Sequence, residues 1–286
     1  MKHILLMTMV SSALFPMMSQ ASSDSSNQPV ADSVVAEQRA KLDDNTHGKG
    51  FGPQSPRDID SAMGKNGIIF GLSPESKQMS LCNIHFHKNA EHKGGEFTQY
   101  AGNGDGHGYQ TGYKYTGKFN KAELMPYDQQ VGESKHGSLY PGDTIEVHYV
   151  YSTAKIEPGP TLGACLSKEN ANPQLRVETQ VYVLVNDRKA QNFLDLTQIK
   201  TVNNRPQAIN IPNNTGTPVT YIGSTTGPGY NKKASPYQVT WNVRPKVIKV
   251  DIGTVGEWLD DNIFEEDHAH GVRNLVTNLN LLSKIK

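Results

Sequence analysis

A chain of 286 residues with 28 basic and 28 acidic side chains carries no net charge. It therefore lacks the one-sided field that marks a nucleic-acid-binding protein or one resting on an anionic membrane. The length suits one large domain or two small ones, and a sheet-rich single domain of roughly 200–250 residues is ordinary.

The chain opens with MKHILLMTMVSSALFPMMSQASS. Lys2 precedes an apolar stretch from Ile4 to Pro16, and Ser19 to Ala21 supply the small residues of a cleavage site. This pattern predicts a signal peptide over residues 1–21. Its apolar part falls short of the roughly 20 residues a spanning helix needs. The expected location is periplasmic or secreted, as for a bacterial export signal, with no membrane attachment after removal. Residues 22–48 are rich in Ser, Asp, Gln and Ala and read as a polar, solvated arm containing one helix over 33–42.

Residues 49–286 have a different texture. Short apolar runs, β-branched and aromatic, alternate with Gly, Pro and Asn, and this predicts strands over 66–72, 78–87, 143–152, 176–186, 207–212, 217–224, 237–244 and 246–252. The glycine-rich section 101–142 reads as an ordered loop excursion. The run from Gly256 to Leu282 reads as holding at least one short helix. No internal repeat is present, and the chain is expected to form one mostly-β domain with peripheral helices. It has two cysteines, Cys82 and Cys165, and in an oxidising compartment these predict one disulfide. Closing so long a loop is worth roughly 4–5 kcal/mol in the chain-entropy model.

The stretch SLCNIHFHKNAEHKGGEF, residues 80–97, carries the first chemistry. In an extended chain Asn83, His85 and His87 leave one face, with Leu81, Ile84 and Phe86 breaking up the pattern or pointing the other way. Cys82 lies an odd number of residues from both histidines, so a regular strand turns it to the opposite face. DTIEVHYVYS, residues 143–152, places Glu146, His148 and Val150 on one face in the same way. His85, His87 and His148 then make a three-nitrogen set of the kind that holds catalytic zinc with a fourth position open. Asn83 and Glu146 each lie two residues before a histidine and are placed to take the outer N–H of an imidazole. Zn2+ is the expected cofactor. HFHKNAE also meets the His-x-His-x3-Glu spacing of cupins, in which Glu91 would itself bind the metal. The second cupin motif is half met by PGDTIEVH, so a cupin-like protein is the alternative.

Four further stretches favour another family. FGPQSPRDID resembles the entry segment of α-type carbonic anhydrases, with Gln54, Ser55, Pro56 and Ile59 in register. NIHFHKNAEH resembles their metal-binding strand and IEVHYV the strand of the third histidine. YIGSTTGPGY followed by SPYQVTWNV resembles their Gly-Ser-Leu-Thr-Thr turn and the strand after it. LCNIHFHKNAEHKGGEF and HAHGVRNLV resemble the δ-type group more closely. The motifs occur in the family's order over about residues 50–245. The departures are Asn83 where glutamine is usual, the long connection between His92 and His148, and the absent leucine of the Ser-Leu-Thr-Thr motif.

The resemblance implies a central twisted, mainly antiparallel β-sheet with short peripheral helices. It implies a zinc-dependent lyase, a carbonate dehydratase, that hydrates carbon dioxide reversibly to bicarbonate and a proton by zinc-bound hydroxide. It implies His85, His87 and His148 as zinc ligands. Glu91 then accepts a hydrogen bond from a threonine hydroxyl, with Thr226 favoured over Thr225. The same resemblance implies an apolar wall for carbon dioxide made of Val150, Trp241 and one of Val181 or Val183. A carboxylate on the metal would weaken its effect on bound water, which assigns Glu91 to orientation. Proton export needs a group titrating near neutrality. His107, in the glycine-rich loop, is the first choice ahead of His92, His136, His268 and His270. EEDHAHGVR reads as a structural segment anchored by Arg273, the alternative being a second metal at His268 and His270. An inactive carbonic-anhydrase-like binding module would be signalled by a lost ligand histidine, and all three are present.

Overall fold

The structure, a computed structural model, describes residues 28–225, 231–235 and 237–286. The expected signal peptide over residues 1–21 lies outside them, as does Thr226. In chain order the described elements are α1 (Asp32–Thr46), β1 (Ser80–Lys88), β2 (Gln99–Tyr100), β3 (Tyr113–Lys114), β4 (Thr144–Ser152) and β5 (Leu175–Val185). There follow α2 (Phe193–Leu196), β6 (Ile199–Val202), β7 (Arg205–Ala208), β8 (Val219–Ser224), β9 (Gln238–Asp251) and α3 (Ile252–Asp260).

Five strands form the central sheet in the order β1-β4-β5-β9-β8. Every neighbouring pair is antiparallel except β5 and β9, which run parallel, so the sheet is mixed but mainly antiparallel. Its two faces are both covered, which is why β4 is buried along its whole length. One face packs Leu81, Ile84, Phe86, Val147, Tyr149 and Tyr182 against Phe193 of α2 and Val255, Trp258 and Leu259 of α3. The other gathers Val150, Val177, Tyr221, Val239, Trp241 and Leu275. The alternation of β1 and β4 thus reports two different interiors, an apolar one and one with polar side chains set into it.

Register aligns three rows across the sheet. Asn83, Val150, Val177, Trp241 and Tyr221 lie in one row. His85, His148, Thr179 and Val243 lie in the next, and His87, Glu146, Val181 and Val247 in the third. The two histidine-bearing strands are therefore paired so that His85 faces His148 directly.

Several sequence expectations are corrected. Residues 66–72 form no strand, and Ile69 there is 92% exposed. The expected strands 237–244 and 246–252 are one strand, β9, running through Pro245. Proline has no N–H for a ladder bond, and the ladder with β5 shifts register just there, between Thr179 and Val181. The expected strand 207–212 ends at Ala208, as the second arm of a hairpin turning at Asn203 and Asn204. Both asparagines have positive φ, of 51° and 59°, which suits a tight hairpin turn. The helix expected within the arm forms as α1 but is docked on the domain, with Val35, Gln38, Leu42 and Thr46 buried along one stripe.

Cys82 and Cys165 form the disulfide, 83 residues apart in sequence. The pairing of β1 with β4 shifts register between Leu81 and Asn83. This bulge breaks the strict alternation, so Cys82 packs with Val150, Val177 and Trp241, the side the two-residue period denied it. It is bonded to sulfur and is not a metal ligand. Replacing both cysteines with serine should lower stability by about 4 kcal/mol. That corresponds to a melting temperature roughly 10 °C lower for a chain of this size. An unchanged thermal melt of the double variant would contradict a stabilising role.

Candidate metal centre

His85, His87 and His148 meet on the polar-studded face of the sheet. One ring nitrogen from each lies within 4.8 Å of the others. The ring centroids are 5.2 Å apart for His85 and His87, 5.1 Å for His85 and His148, and 4.8 Å for His87 and His148. The strand pairing does most of this: two imidazoles two residues apart on β1 and one directly opposite on β4 share a single pleat repeat.

The outer nitrogen of each ring has a partner that sets its tautomer. Asn83 donates from Nδ2 to the Gly159 carbonyl at 3.1 Å, which turns its Oδ1 toward His85 Nδ1 at 2.6 Å. His87 Nδ1 donates to the Gly271 carbonyl at 2.7 Å. His148 Nε2 donates to Glu146 Oε1 at 2.7 Å. The lone pairs thereby fall on Nε2 of His85, Nε2 of His87 and Nδ1 of His148, the inner nitrogens. His87 Nε2 is buried and finds no hydrogen-bond partner. An unpaired buried nitrogen costs about 1–3 kcal/mol, and in the midst of two other inward lone pairs a cation satisfies it. The donor set therefore fits a metal ion.

Electrostatics agree. Burial, and then the neighbouring rings of His148, His87 and His270, hold His85 well below the usual imidazole range. Burial likewise pulls His87 down to about 4, against the opposing effect of Glu91. Both rings are neutral at pH 7, the form that coordinates metal.

Behind His148 the chain continues through buried polar groups. Glu146 is fully buried. It accepts from His148 Nε2, from His92 Nδ1 at 2.7 Å and from the His92 backbone N–H at 3.1 Å. His92 Nε2 lies 2.7 Å from the Tyr221 hydroxyl, which bonds Ser55 Oγ in turn. Burial works against a charge on Glu146, but His92 and His148 outweigh it and hold the carboxyl below the usual carboxylate range. His92, Glu146 and His148 are also close enough to suggest a second ion site, but their facing atoms are already spent on one another at hydrogen-bond distance.

Glu91 stands to the outside of this group. Its Oε1 accepts from the Arg273 backbone N–H at 2.8 Å and lies 4.0 Å from His87 Nδ1, the ring nitrogen turned away from the other two rings. A cavity of about 30 Å³ opens over the imidazoles, lined by Glu91, Val150, Leu162, Val177, Thr225 and Trp241. That is room for one or two water-sized molecules. Val150 and Trp241 line it. The third apolar wall is Val177, their neighbour in the same cross-strand row, and neither Val181 nor Val183 lines the cavity.

The family model that matches residues 76–254 is that of delta carbonic anhydrase. This span covers more than half of the chain and contains all three converging imidazoles. The chain belongs to the delta carbonic anhydrase family. Carbonic anhydrases act on carbon dioxide and bicarbonate, and the histidine group in this one can hold a metal. Solved structures similar to it include the complex of an α-carbonic anhydrase from Thermovibrio ammonificans with the inhibitor sulfanilamide. That match is 16% identical, covers 80% of this chain and 84% of that one, and has a TM-score of 0.29. A Photobacterium profundum α-carbonic anhydrase is 15% identical over 80% of this chain and 88% of its own, with a TM-score of 0.26. No curated protein matches the chain.

The remaining histidines of the chain sit in contrasting surroundings. His107 is exposed in the glycine-rich loop, its backbone N–H bonded to Asp105. His92, read as a candidate surface group, is fully buried. His270 lies beside the converging rings, its centroid 5.3 Å from that of His85 and 5.8 Å from that of His87. Its Nε2 bonds Glu266; burial opposes its charge, but Glu266 raises its pKa above the usual value. His268 stacks on His270 at 6.2 Å, and the two form no three-residue metal group among the described residues. Arg273 is an anchor, buried and donating to the carbonyls of Ser55 and Thr225. Gln54 of the entry segment accepts from Ser224, the Ser235 N–H and Arg273, so that segment braces the turn carrying Thr225. Thr225 Oγ1 bonds Ser235 Oγ at 3.0 Å.

Two further groups escaped the sequence reading. Gly271, the partner of His87, acts through its backbone carbonyl and leaves no side-chain signature. Tyr221 offered a signal only through its place in the YIGS stretch.

Proposed function

We propose that the protein is a zinc carbonic anhydrase, hydrating carbon dioxide reversibly to bicarbonate and a proton, with His85, His87 and His148 as the metal ligands. One observation carries the reading: three inward imidazole lone pairs, each set by a partner on its outer nitrogen, one of them buried without any other partner. Zinc held there would supply the charge that lowers the pKa of a bound water to about 7.

The chain's own groups do the rest. Asn83, the Gly271 carbonyl and Glu146 keep the three rings aimed. Val150, Leu162, Val177 and Trp241 offer carbon dioxide, an uncharged and apolar molecule, a dry wall beside the imidazoles. Glu91, tied to the Arg273 amide, is assigned to orientation through a threonine hydroxyl, Thr226 in preference to Thr225, whose own hydroxyl is engaged with Ser235. The position of Glu91 on the far side of His87 favours this role over the metal-binding one a cupin would give it. Protons leave toward the face where His270 and the glycine-rich loop lie, His107 being the exposed histidine of that loop.

Export to the periplasm or beyond, directed by a signal peptide over residues 1–21, accords with the disulfide. Among the described residues no helix is long and apolar enough to cross a membrane.

Stopped-flow hydration of carbon dioxide, with metal analysis of the same sample, tests the proposal. Zinc near one ion per chain together with turnover supports it. Zinc without turnover would replace it with a binding module.

A further inference from the structure

The segment from His270 to Val276 belongs to no helix or named strand, yet each of its residues is tied to a different part of the molecule. The His270 N–H bonds the Phe86 carbonyl, the Val272 N–H the Gly108 carbonyl, and the Val276 N–H the Pro56 carbonyl. The Gly271 carbonyl takes His87 Nδ1, and the Arg273 N–H takes Glu91. The Asn274 N–H bonds Asn231 Oδ1 and the Leu275 carbonyl accepts from Arg39 Nε. This strap holds one proposed ligand and one proposed orienting carboxylate by its backbone alone, so its own position decides theirs. It also runs against the glycine-rich loop with no space to spare: a Cβ on Gly271 would lie 2.9 Å from the Gly108 carbonyl carbon.

The outer side of the strap is covered by α1. Gln38, 6% exposed, uses both ends of its amide there. Its Nε2 donates to the Gly106 carbonyl at 2.8 Å and its Oε1 accepts from Asn274 Nδ2 at 2.6 Å. One buried side chain thus ties the glycine-rich loop to the strap, two residues from the Gly108–Val272 bond on one side and one residue from Arg273 on the other. Arg39 adds the bond to Leu275, Asn45 bonds the Lys232 carbonyl, and Leu42 packs with Val276, Leu281 and Leu282. The helix has few apolar residues to bury, and its docking rests on these polar links.

We infer that α1 is a positioning element of the metal centre, with Gln38 as the residue that fixes the 271–275 strap and, through it, His87 and Glu91. The inference rests on the reading of His85, His87 and His148 as the metal site. Its test uses the full mature chain, with two readouts. In Gln38→Ala, zinc release to excess chelator should quicken about tenfold, the lower end of the 10–100-fold in affinity lost when groups supporting a ligand are removed. In metal-free protein, the amides of residues 271–275 should exchange faster by a larger factor than those of β4, which a general loss of stability would raise together. Asn274→Ala should quicken zinc release similarly, and the double variant should add little to either single change. Lys41→Ala, on the exposed side of the same helix, should leave both readouts at the wild-type level. A Gln38→Ala protein that melts lower yet releases zinc and exchanges at 271–275 like the wild type would overturn the inference. A wild type that binds no zinc would instead remove the metal reading, and the exchange comparison would still decide whether α1 fixes the strap.

Discussion

Replacing His148 with alanine is expected to abolish carbon dioxide hydration and to lower zinc affinity by more than about 100-fold. Removing a group that merely supports a ligand costs 10–100-fold, and this change removes a ligand. His148 sits directly across from His85, and its Nδ1 supplies the third lone pair of the set. The neighbouring groups are engaged elsewhere: Glu146 is tied to His92, Glu91 lies on the outer side of His87, and His270 is bonded to Glu266. The same change also takes a hydrogen-bond donor from the buried Glu146 carboxylate. Metal analysis after dialysis against a weak chelator, followed by stopped-flow hydration, gives both readouts. A variant that keeps its full zinc and its full rate would remove His148 from the site.

Glu146→Gln is the second large effect, and it separates charge and hydrogen bonding from size. The carboxylate accepts three hydrogen bonds in a region without solvent. Glutamine fills the same volume but presents an NH2 where one acceptor oxygen stood. His92 approaches with two N–H donors and His148 with one, so at least one donor meets another donor. Leaving a buried donor without an acceptor costs about 1–3 kcal/mol, and the variant should lose stability on that scale in urea unfolding. Zinc affinity should fall 10–100-fold, because the His148 tautomer is no longer enforced. A stability within about 1 kcal/mol of the wild type would mean that the His148–Glu146–His92 chain carries little energy.

The parts of this centre that strand periodicity describes were readable from the residues. His85 and His87 on β1 and His148 on β4 follow the two-residue period of an extended chain, and so do Asn83 and Glu146 behind them. The central sheet follows from the apolar runs for the same reason. What escaped was whatever depends on a local break or a distant backbone. The bulge at Cys82 adds a residue and reverses a face, and nothing in SLCN announces it. The register of β5 against β4 and β9 puts Val177, in place of Val181 or Val183, in the row of Val150 and Trp241, and register of that kind is a property of pairs of strands. His92 looked like any polar loop residue, because its burial depends on Tyr221 and Glu146, both far along the chain. α1 is polar enough to read as solvated, since it docks through Gln38 and Arg39 onto a strap at the other end of the sequence and through Asn45 onto the Lys232 carbonyl. Gly271 holds His87 by a carbonyl, and every residue type has one.

X-ray absorption at the zinc edge of the loaded wild-type protein tests the central claim most directly. Three imidazole nitrogens at about 2.0–2.1 Å, with one further light atom and no sulfur, is the result expected for this site. A spectrum that fits two imidazoles or fewer, or that needs a carboxylate in place of the third ring, would contradict it.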